Sequence, residues 1–244
     1  MSKAIVIIKS MGIGDLCILI SSIHAISKKI NKSVKVLAQK NTCATAILKH
    51  DRHVDEVIEL NEKEIKGFFS IIKKIKPKQF DQSYIFSDSI RFYLISRLSG
   101  IKQNFHYKFF SKRGKNFFKT AKEFTEKILD IKVDSQSKIY CDKNDIEEAK
   151  RKFNISNKTK NIVCGISASG PTKRWDINNY IKLFENLNSK FKCKFFLAGG
   201  SNDEDLIKKV TSSSIGNRCI SFSSMKIAET LPIIGACQYY IGND

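Results

Sequence analysis

The residues best suited to chemistry in this chain lie in one short segment, Ser167 to Trp175, with the sequence SASGPTKRW. An apolar run from Ile162 to Ile166 precedes it and predicts a buried strand. Small and turn-forming residues lead to the adjacent cations Lys173 and Arg174, and then to the only tryptophan of the chain. Such a loop after a parallel strand is where an α/β sheet binds an anionic ligand, and its N–H groups and cations suit a diphosphate. The same residues also fit a surface turn whose tryptophan covers part of the core.

A second block, Gly12-Ile13-Gly14-Asp15, follows an apolar run from Ala4 to Ile8. Its spacing lacks the third glycine of the dinucleotide fingerprint and the Gly-Lys-Ser/Thr of a P-loop. Asp15 fits two roles. It can cap a helix that we predict to begin at Leu16, or it can accept a proton from a hydroxyl nucleophile at the end of the strand.

Two more glycine-containing blocks follow predicted strands in the second half of the chain. Gly199 and Gly200 precede a run of acidic residues, from Asp203 to Asp205, which favours the start of a helix. Glycines at such a position let the backbone approach a ligand closely. The block Gly242-Asn243-Asp244 stands at the end of another predicted strand.

Strands and helices alternate along the whole chain. Short apolar runs are each followed by a segment of helical spacing, among them a helix predicted over 64–75. This alternation predicts an α/β fold with two Rossmann-like domains built on parallel sheets. A polar, lysine-rich stretch from Ser156 to Asn161 divides them, so we predict domains at 1–155 and 156–244 with the ligand site in a central cleft.

Composition excludes several classes of protein. The chain is 42% hydrophobic, and none of its windows approaches the ~20 apolar residues of a membrane span. Its seven cysteines form no C-x-x-C pair and its four histidines no H-E-x-x-H, so we expect reduced cysteines and neither a metal nor a cofactor. We predict a cytoplasmic protein.

The formal net charge of +19 predicts attraction to polyanions. The cations are spread along the chain without a nucleic-acid motif, so nucleic acid is not the expected partner. Residues 101–120 interleave aromatic and cationic side chains, a pattern that fits peripheral contact with an anionic membrane. A solvated lysine surface and an ordinary core face for these aromatic residues explain the same features.

The four blocks, in this order, resemble glycosyltransferase family 9, the heptosyltransferases of lipopolysaccharide core assembly. The resemblance rests on Gly14-Asp15, on Lys173-Arg174-Trp175, on Gly199-Gly200 and on Gly242-Asn243-Asp244, each placed after a strand. It implies a GT-B-like fold with an acceptor-side first domain and a nucleotide-sugar-binding second domain. It also implies inverting, metal-independent transfer of a sugar, typically heptose from ADP-heptose, to a glycolipid or lipopolysaccharide-core acceptor.

The resemblance also implies roles for particular residues. Asp15 matches the family's catalytic base, and Lys173 matches the lysine that contacts the donor phosphates. Asp203 or Glu204 falls where the family has an acidic residue near the donor nucleoside or sugar, and Asp244 matches an aspartate of the donor site. The full set of expected donor-binding residues is Gly14, Ser167, Ser169, Lys173, Arg174, Gly199, Gly200, Asp203, Glu204 and Asp244.

One departure from the family pattern concerns the last residues. The family motif continues with Ser/Thr-Gly after the aspartate, whereas this sequence stops at Asp244. We therefore expect an apparently truncated chain whose second domain is incomplete and whose donor pocket is open, with weak or no activity. Two alternatives remain open: a non-catalytic or defunct nucleotide-sugar-binding fragment of the same fold, and an RNA-binding α/β protein that the charge alone would favour.

Overall fold

The structure, a computed structural model, describes residues 3–8, 12–108, 116–168 and 170–243. The chain forms two compact units, residues 1–140 and residues 141–244. Each unit is an α/β structure with its own parallel sheet, of five strands in the first and four in the second. The predicted fold class is therefore confirmed.

The first unit contains five parallel strands in the order β3-β2-β1-β4-β5. They are β1 (Ala4–Ile8), β2 (Val34–Gln39), β3 (Val54–Leu60), β4 (Gln82–Phe86) and β5 (Gln103–His106). The central strand β1 is buried along its whole length, which explains its unbroken run of apolar residues.

Six α-helices of the described residues surround this sheet. They are α1 (Ile13–Ile30), α2 (Ala44–Ile47), α3 (Glu62–Lys66), α4 (Phe68–Ile75), α5 (Ile90–Leu98) and α6 (Phe117–Leu129). On one face, α4 and α5 cover a core that includes Ile5, Ile7 and Ile85. On the other face α1 packs against α6, where Thr125 Oγ1 donates a hydrogen bond of 3.0 Å to Ser22 Oγ.

The prediction of a single helix over 64–75 is wrong, because the segment forms two helices, α3 and α4, that are separated at Gly67. The backbone of Gly67 is extended, with φ −81° and ψ 116°. Ser70 Oγ donates to the carbonyl oxygens of Glu64 and Gly67 at 2.9 Å and 2.8 Å, and a Cβ at Gly67 would lie 2.4 Å from that hydroxyl. A side-chain bond to the backbone therefore replaces one turn of the helix.

In its described part, the second unit contains four parallel strands in the order β8-β7-β6-β9 and four α-helices. The strands are β6 (Lys160–Gly165), β7 (Cys193–Ala198), β8 (Cys219–Ser221) and β9 (Tyr239–Gly242); the helices are α7 (Lys143–Lys152), α8 (Ile177–Lys190), α9 (Glu204–Thr211) and α10 (Ile227–Ala236). Helices α8 and α9 cover one face of the sheet, and α7 and α10 cover the other.

The units divide at residue 140, whereas the sequence predicts a boundary at residue 155. The difference is α7, which packs against α10 and contributes Ala149 to the same buried cluster as Ile233. A charge-rich helix carries little apolar signal of its own, so the polar stretch that follows it resembles a linker.

Two negative observations concern the described part of the chain. None of its helices is long and apolar enough to cross a bilayer. Its His, Cys, Asp and Glu side chains form no group of three or more that could hold a metal ion.

A buried polar cluster ties α1 to the segment before β3. The ring nitrogen Nε2 of His24 donates to Asp51 Oδ2 at 2.6 Å, and the backbone N–H of His53 donates to Asp51 Oδ1 at 2.9 Å. Ser27 Oγ lies 3.1 Å from His53 Nδ1. Asp51 is only 4% exposed, so these bonds replace the water that the carboxylate loses on burial.

This cluster predicts an acid-sensitive stability. Burial, together with the nearby His24, lowers the pKa of His53 below its ordinary value of 6.5, so the unfolded chain takes up a proton first. His53 therefore favours the folded state above pH 6.5, and this contribution falls as the pH drops towards the folded-state pKa, by at most ~1.4 kcal/mol per pH unit.

The measurement is urea unfolding followed by far-UV circular dichroism between pH 7.5 and pH 5. We expect His53→Asn to flatten the acid side of the curve relative to the wild type. A full acid slope in His53→Asn would assign the effect to other groups.

Candidate functional site

The second unit has a topological switch point between β6 and β9. From β6 the chain proceeds outward to β7 and β8, whereas β9 lies on the other side of β6. All four strands are parallel, so the segments after Gly165, Ala198 and Gly242 emerge at the same edge of the sheet. In open α/β sheets the ligand binds at this edge, beside the switch point. Three of the four predicted blocks therefore lie at one end of one sheet.

Asn243 joins the two strands that border the switch point. Its backbone N–H donates to the carbonyl oxygen of Gly165 at 3.0 Å. Its side-chain oxygen Oδ1 accepts from the N–H of Trp175 at 3.0 Å and from the hydroxyl of Tyr180 at 2.9 Å. The side-chain nitrogen Nδ2 is buried and has no hydrogen-bond partner among the described residues.

Two aromatic residues border this junction: Tyr180 in the first turn of α8, and Trp175 just before that helix. Tyr180 is fully buried, and burial raises the pKa of its hydroxyl, which therefore stays protonated and able to donate. The ring of Trp175 meets that of Tyr180 edge to face with centroids 4.9 Å apart, while Trp175 itself remains 47% exposed. The tryptophan thus covers part of the core and also borders solvent at the switch point.

Asp203 connects the loop after β6 with the loop after β7. Its Oδ1 accepts a hydrogen bond of 2.7 Å from Ser167 Oγ, and its Oδ2 accepts one of 2.9 Å from the N–H of Gly200. The guanidinium group of Arg174 lies 3.6 Å from the same carboxylate and also donates through Nε to the carbonyl oxygen of Ala168 at 2.9 Å. The carboxylate of Asp203 is therefore engaged by the protein and fixes the shape of both loops.

The predicted cations differ in their surroundings. Arg174 is held against the loop, as described above. Lys173 is exposed in the short 3₁₀ turn Pro171–Lys173, and among the described residues its ammonium group takes part in no ion pair. Lys173 is therefore the cation of this loop that is available to an anionic ligand.

The remaining predicted residues of the second unit differ in their exposure and packing, and two of them are not described. Glu204 is exposed at the first residue of α9, next to the buried Asp203. A Cβ at Gly199 would lie 3.2 Å from the side chains of Asp203 and Ile207, so this glycine allows close packing within the loop. Ser169 and Asp244 lie outside the described residues.

In the first unit, the block around Asp15 follows the central strand β1. Helix α1 begins at Ile13 and not at Leu16, so Asp15 lies inside the first turn, and its Oδ2 accepts the N–H of Gly12 at 3.1 Å. The prediction of Asp15 as the residue before the helix is therefore wrong, since Gly12 is the N-cap; Asp15 stabilises the start of α1 from the third helical position instead. A carboxylate has about four acceptor positions, so this one bond leaves room for a proton-accepting role. Gly14 is exposed, and a Cβ there would meet nothing within 4 Å.

The first unit has a second polar block that is not among the residues predicted from the sequence. The first unit's switch point lies between β1 and β4, and β4 ends at Phe86 and leads into Ser87-Asp88-Ser89. Ser87 is buried, and its Oγ accepts the N–H of Ser89 at 3.1 Å. Asp88 is half-buried at the end of the strand beside β1. The signal was an aspartate in the segment between a buried strand and the next helix, a position that it shares with the Gly12-Ile13-Gly14-Asp15 block.

Two parallel-sheet units, each with polar residues at a switch point, define a GT-B-like α/β protein. The family model for glycosyltransferase family 9 (heptosyltransferase) matches residues 68–244, which is well over half of the chain. The chain belongs to this family and is a glycosyltransferase.

Solved structures agree with this fold. E. coli ADP-heptose lipopolysaccharide heptosyltransferase II matches with a TM-score of 0.75 and 17% identity, over 99% of this chain and 79% of that one. A family 9 glycosyltransferase from Veillonella parvula DSM 2008 gives 0.80 and 14%, over 99% and 74%. E. coli heptosyltransferase WaaC with ADP gives 0.70 and 12%, over 99% and 81%. At these identities the similarity shows the fold alone. No curated protein is significantly similar to the chain.

The junction at Asn243 yields a prediction about the loop. Asn243→Ala removes the acceptor of the Trp175 N–H and of the hydroxyl of the buried Tyr180, and we expect a loss of ~1–3 kcal/mol in the free energy of unfolding. Because Trp175 is the only tryptophan, its emission reports this loop directly. The measurement is urea unfolding followed by tryptophan fluorescence.

Asn178→Ala is the matched control, since Asn178 is exposed on the adjacent helix α8. We expect it to stay within ~0.5 kcal/mol of the wild type. An Asn243→Ala protein with unchanged emission and unchanged stability would contradict the junction.

Proposed function

We propose that this glycosyltransferase transfers a sugar, heptose in the first instance, from a nucleotide diphosphate sugar such as ADP-heptose to a glycolipid or lipopolysaccharide-core acceptor. The observation that carries the proposal is the exposed ammonium group of Lys173 on a loop at the switch point of a parallel sheet. Family membership supports sugar transfer in general. The named relatives, an ADP-heptose heptosyltransferase and a heptosyltransferase with ADP, suggest the donor.

The donor's diphosphate is the leaving group of the proposed reaction. Negative charge grows on it in the transition state, and a cation fixed next to that charge stabilises it. Lys173 supplies this charge, and Arg174 together with Asp203 holds the loop in shape. With the ammonium group of Lys173 at the leaving phosphate, the proposed transfer proceeds without a metal ion.

Asp15 is the proposed general base. It removes the proton of an acceptor hydroxyl, which attacks the anomeric carbon from the face opposite the nucleotide and inverts its configuration. General base catalysis of this kind contributes typically ~10²–10⁴ in rate. The enzyme works at the anionic inner face of a membrane, where a glycolipid acceptor is found.

Replacing Lys173 tests the donor site. We expect Lys173→Ala to weaken binding of ADP-heptose about 10- to 100-fold, because charge-assisted hydrogen bonds to phosphate are lost. Lys182→Ala is the control, since Lys182 is exposed on α8 after the same loop. Calorimetric titration measures both variants, and an unchanged donor affinity in Lys173→Ala would remove the lysine from this role.

Replacing Asp15 tests the base. Asp15→Asn keeps an oxygen for the N–H of Gly12, so helix α1 retains its first turn, but it cannot accept the proton. We expect kcat to fall by ~10²–10⁴ with donor affinity unchanged. Asp88→Asn is the matched variant at the neighbouring strand end, and we expect it to keep most of its turnover.

The two variants Asp15→Asn and Asp88→Asn lead to different conclusions. Full turnover in Asp15→Asn rejects the base assignment, and loss of turnover in Asp88→Asn alone moves the role to Asp88. Donor binding by the wild type without any sugar transfer supports the non-catalytic alternative.

A further inference from the structure

One helical face of the first unit exposes large apolar side chains among cations. On α4, Phe69 is 72% exposed, and on α5, Leu98 is 56% exposed with Ile90 and Leu94 also exposed. Lys66 and Lys73 flank Phe69 and are exposed. We call these six residues the α4–α5 outer face.

These side chains point away from the core on the same side of the sheet. The opposite sides of both helices, including Ile71, Ile75, Phe92 and Ile95, are buried in one cluster against the sheet. Helices α4 and α5 also pack against each other. Two neighbouring helices that bury their inner sides on one sheet face expose their outer sides together, so the apolar residues and Lys73 belong to one continuous surface. Lys66 ends α3, two residues before α4 begins.

The charge of this surface is mainly positive. Helices α4 and α5 contain no acidic residue, whereas Lys66 ends α3, which contains Glu62 and Glu64. Among the described residues, Lys66 and Lys73 take part in no ion pair, in contrast to Lys74, whose ammonium group lies 2.8 Å from the carboxylate of Glu64. Arg97, exposed beside Leu98, adds a further cation. The surface therefore combines unneutralised positive charge with apolar area exposed to water.

We propose that the α4–α5 outer face docks on the surface of a bilayer that contains anionic lipid. The aromatic ring of Phe69 and the aliphatic side chains of α5 enter the boundary between headgroups and acyl chains, while Lys66, Lys73 and Arg97 meet lipid phosphates. The proposal rests on the proposed function in one respect, since a glycolipid acceptor brings the enzyme to a membrane. It differs from the contact that the sequence predicts at residues 101–120, of which residues 109–115 lie outside the described part of the chain.

Other occupants fit the surface less well. A second copy of the chain in a symmetric dimer would place the same cations opposite one another, and their repulsion opposes such an interface. Single-stranded nucleic acid binds on aromatic platforms along a basic groove, whereas this face offers mainly aliphatic side chains on convex helices.

The test is co-sedimentation of the whole protein with phosphatidylcholine vesicles, with and without about one third phosphatidylglycerol. We expect the wild type to bind only the anionic vesicles and to lose binding at high salt. Lys66→Gln/Lys73→Gln should reduce the partition coefficient about 25-fold, from about fivefold per cation. Phe69→Ser/Leu98→Ser should reduce it by at least about tenfold.

The matched control is Lys119→Gln/Lys127→Gln, which removes the same charge from exposed positions of α6 on the opposite face of the sheet. We expect its binding to stay within about twofold of the wild type, because exposed charges beyond a Debye length are screened. All of the exchanged residues are exposed, and circular dichroism checks that each variant folds.

Three results would overturn the proposal: no vesicle binding by the folded wild type, equal losses in the α6 control, or a dimer in light scattering that Phe69→Ser/Leu98→Ser dissociates. Vesicle binding is measured without donor or turnover, so its failure leaves donor binding and catalysis to be judged separately. Failure of donor binding at Lys173 likewise leaves the docking result unaffected.

Discussion

The candidate chemistry of this protein depends on one constraint of parallel β-sheets. A strand that pairs in parallel with its neighbour must be preceded by a crossover, so all carboxyl ends of a sheet open at the same edge. In the second unit this constraint gathers the segments after β6, β7 and β9, although they are far apart in the sequence. Without this constraint, Lys173 and Asn243 would not be expected at the same edge of the sheet.

The loops at this edge are held by polar bonds that the protein makes with itself. Asp203 accepts hydrogen bonds from Ser167 and Gly200, and Asn243 accepts them from Trp175 and Tyr180. A buried acceptor left without a donor is costly, so these pairs define the loop conformation before any ligand arrives. Because Arg174 is also engaged, Lys173 keeps its charge available. This division between loop-shaping residues and Lys173, a cation without an ion pair among the described residues, is the form that a preorganised anion site takes.

The cations of this chain are neutralised by acidic neighbours in some places and not in others. Part of it is neutralised locally: Glu56 receives hydrogen bonds from both Lys35 and Lys78, and these lower the pKa of Glu56. Elsewhere the charge stands beside apolar residues, as on the α4–α5 outer face. A net charge of +19 alone predicts attraction to any polyanion. The placement of Lys66 and Lys73 beside the exposed Phe69 is what favours a lipid surface over other polyanions as the partner.

The sequence by itself determined the alternation of strands and helices, the parallel sheets and the four glycine-containing blocks, because these depend on local periodicity and turn chemistry. It also supplied the resemblance that the family match confirms. The tertiary structure decided what depends on contacts between distant residues. It broke the predicted helix at Gly67 through Ser70, joined α7 to the second unit through Ala149, and engaged Asp203 and Arg174 within the loop. It also showed that Asn243 links two strands. Burial and hydrogen-bond partners arise only when distant segments meet, so a list of residue types cannot reveal which carboxylate or cation remains available to a ligand.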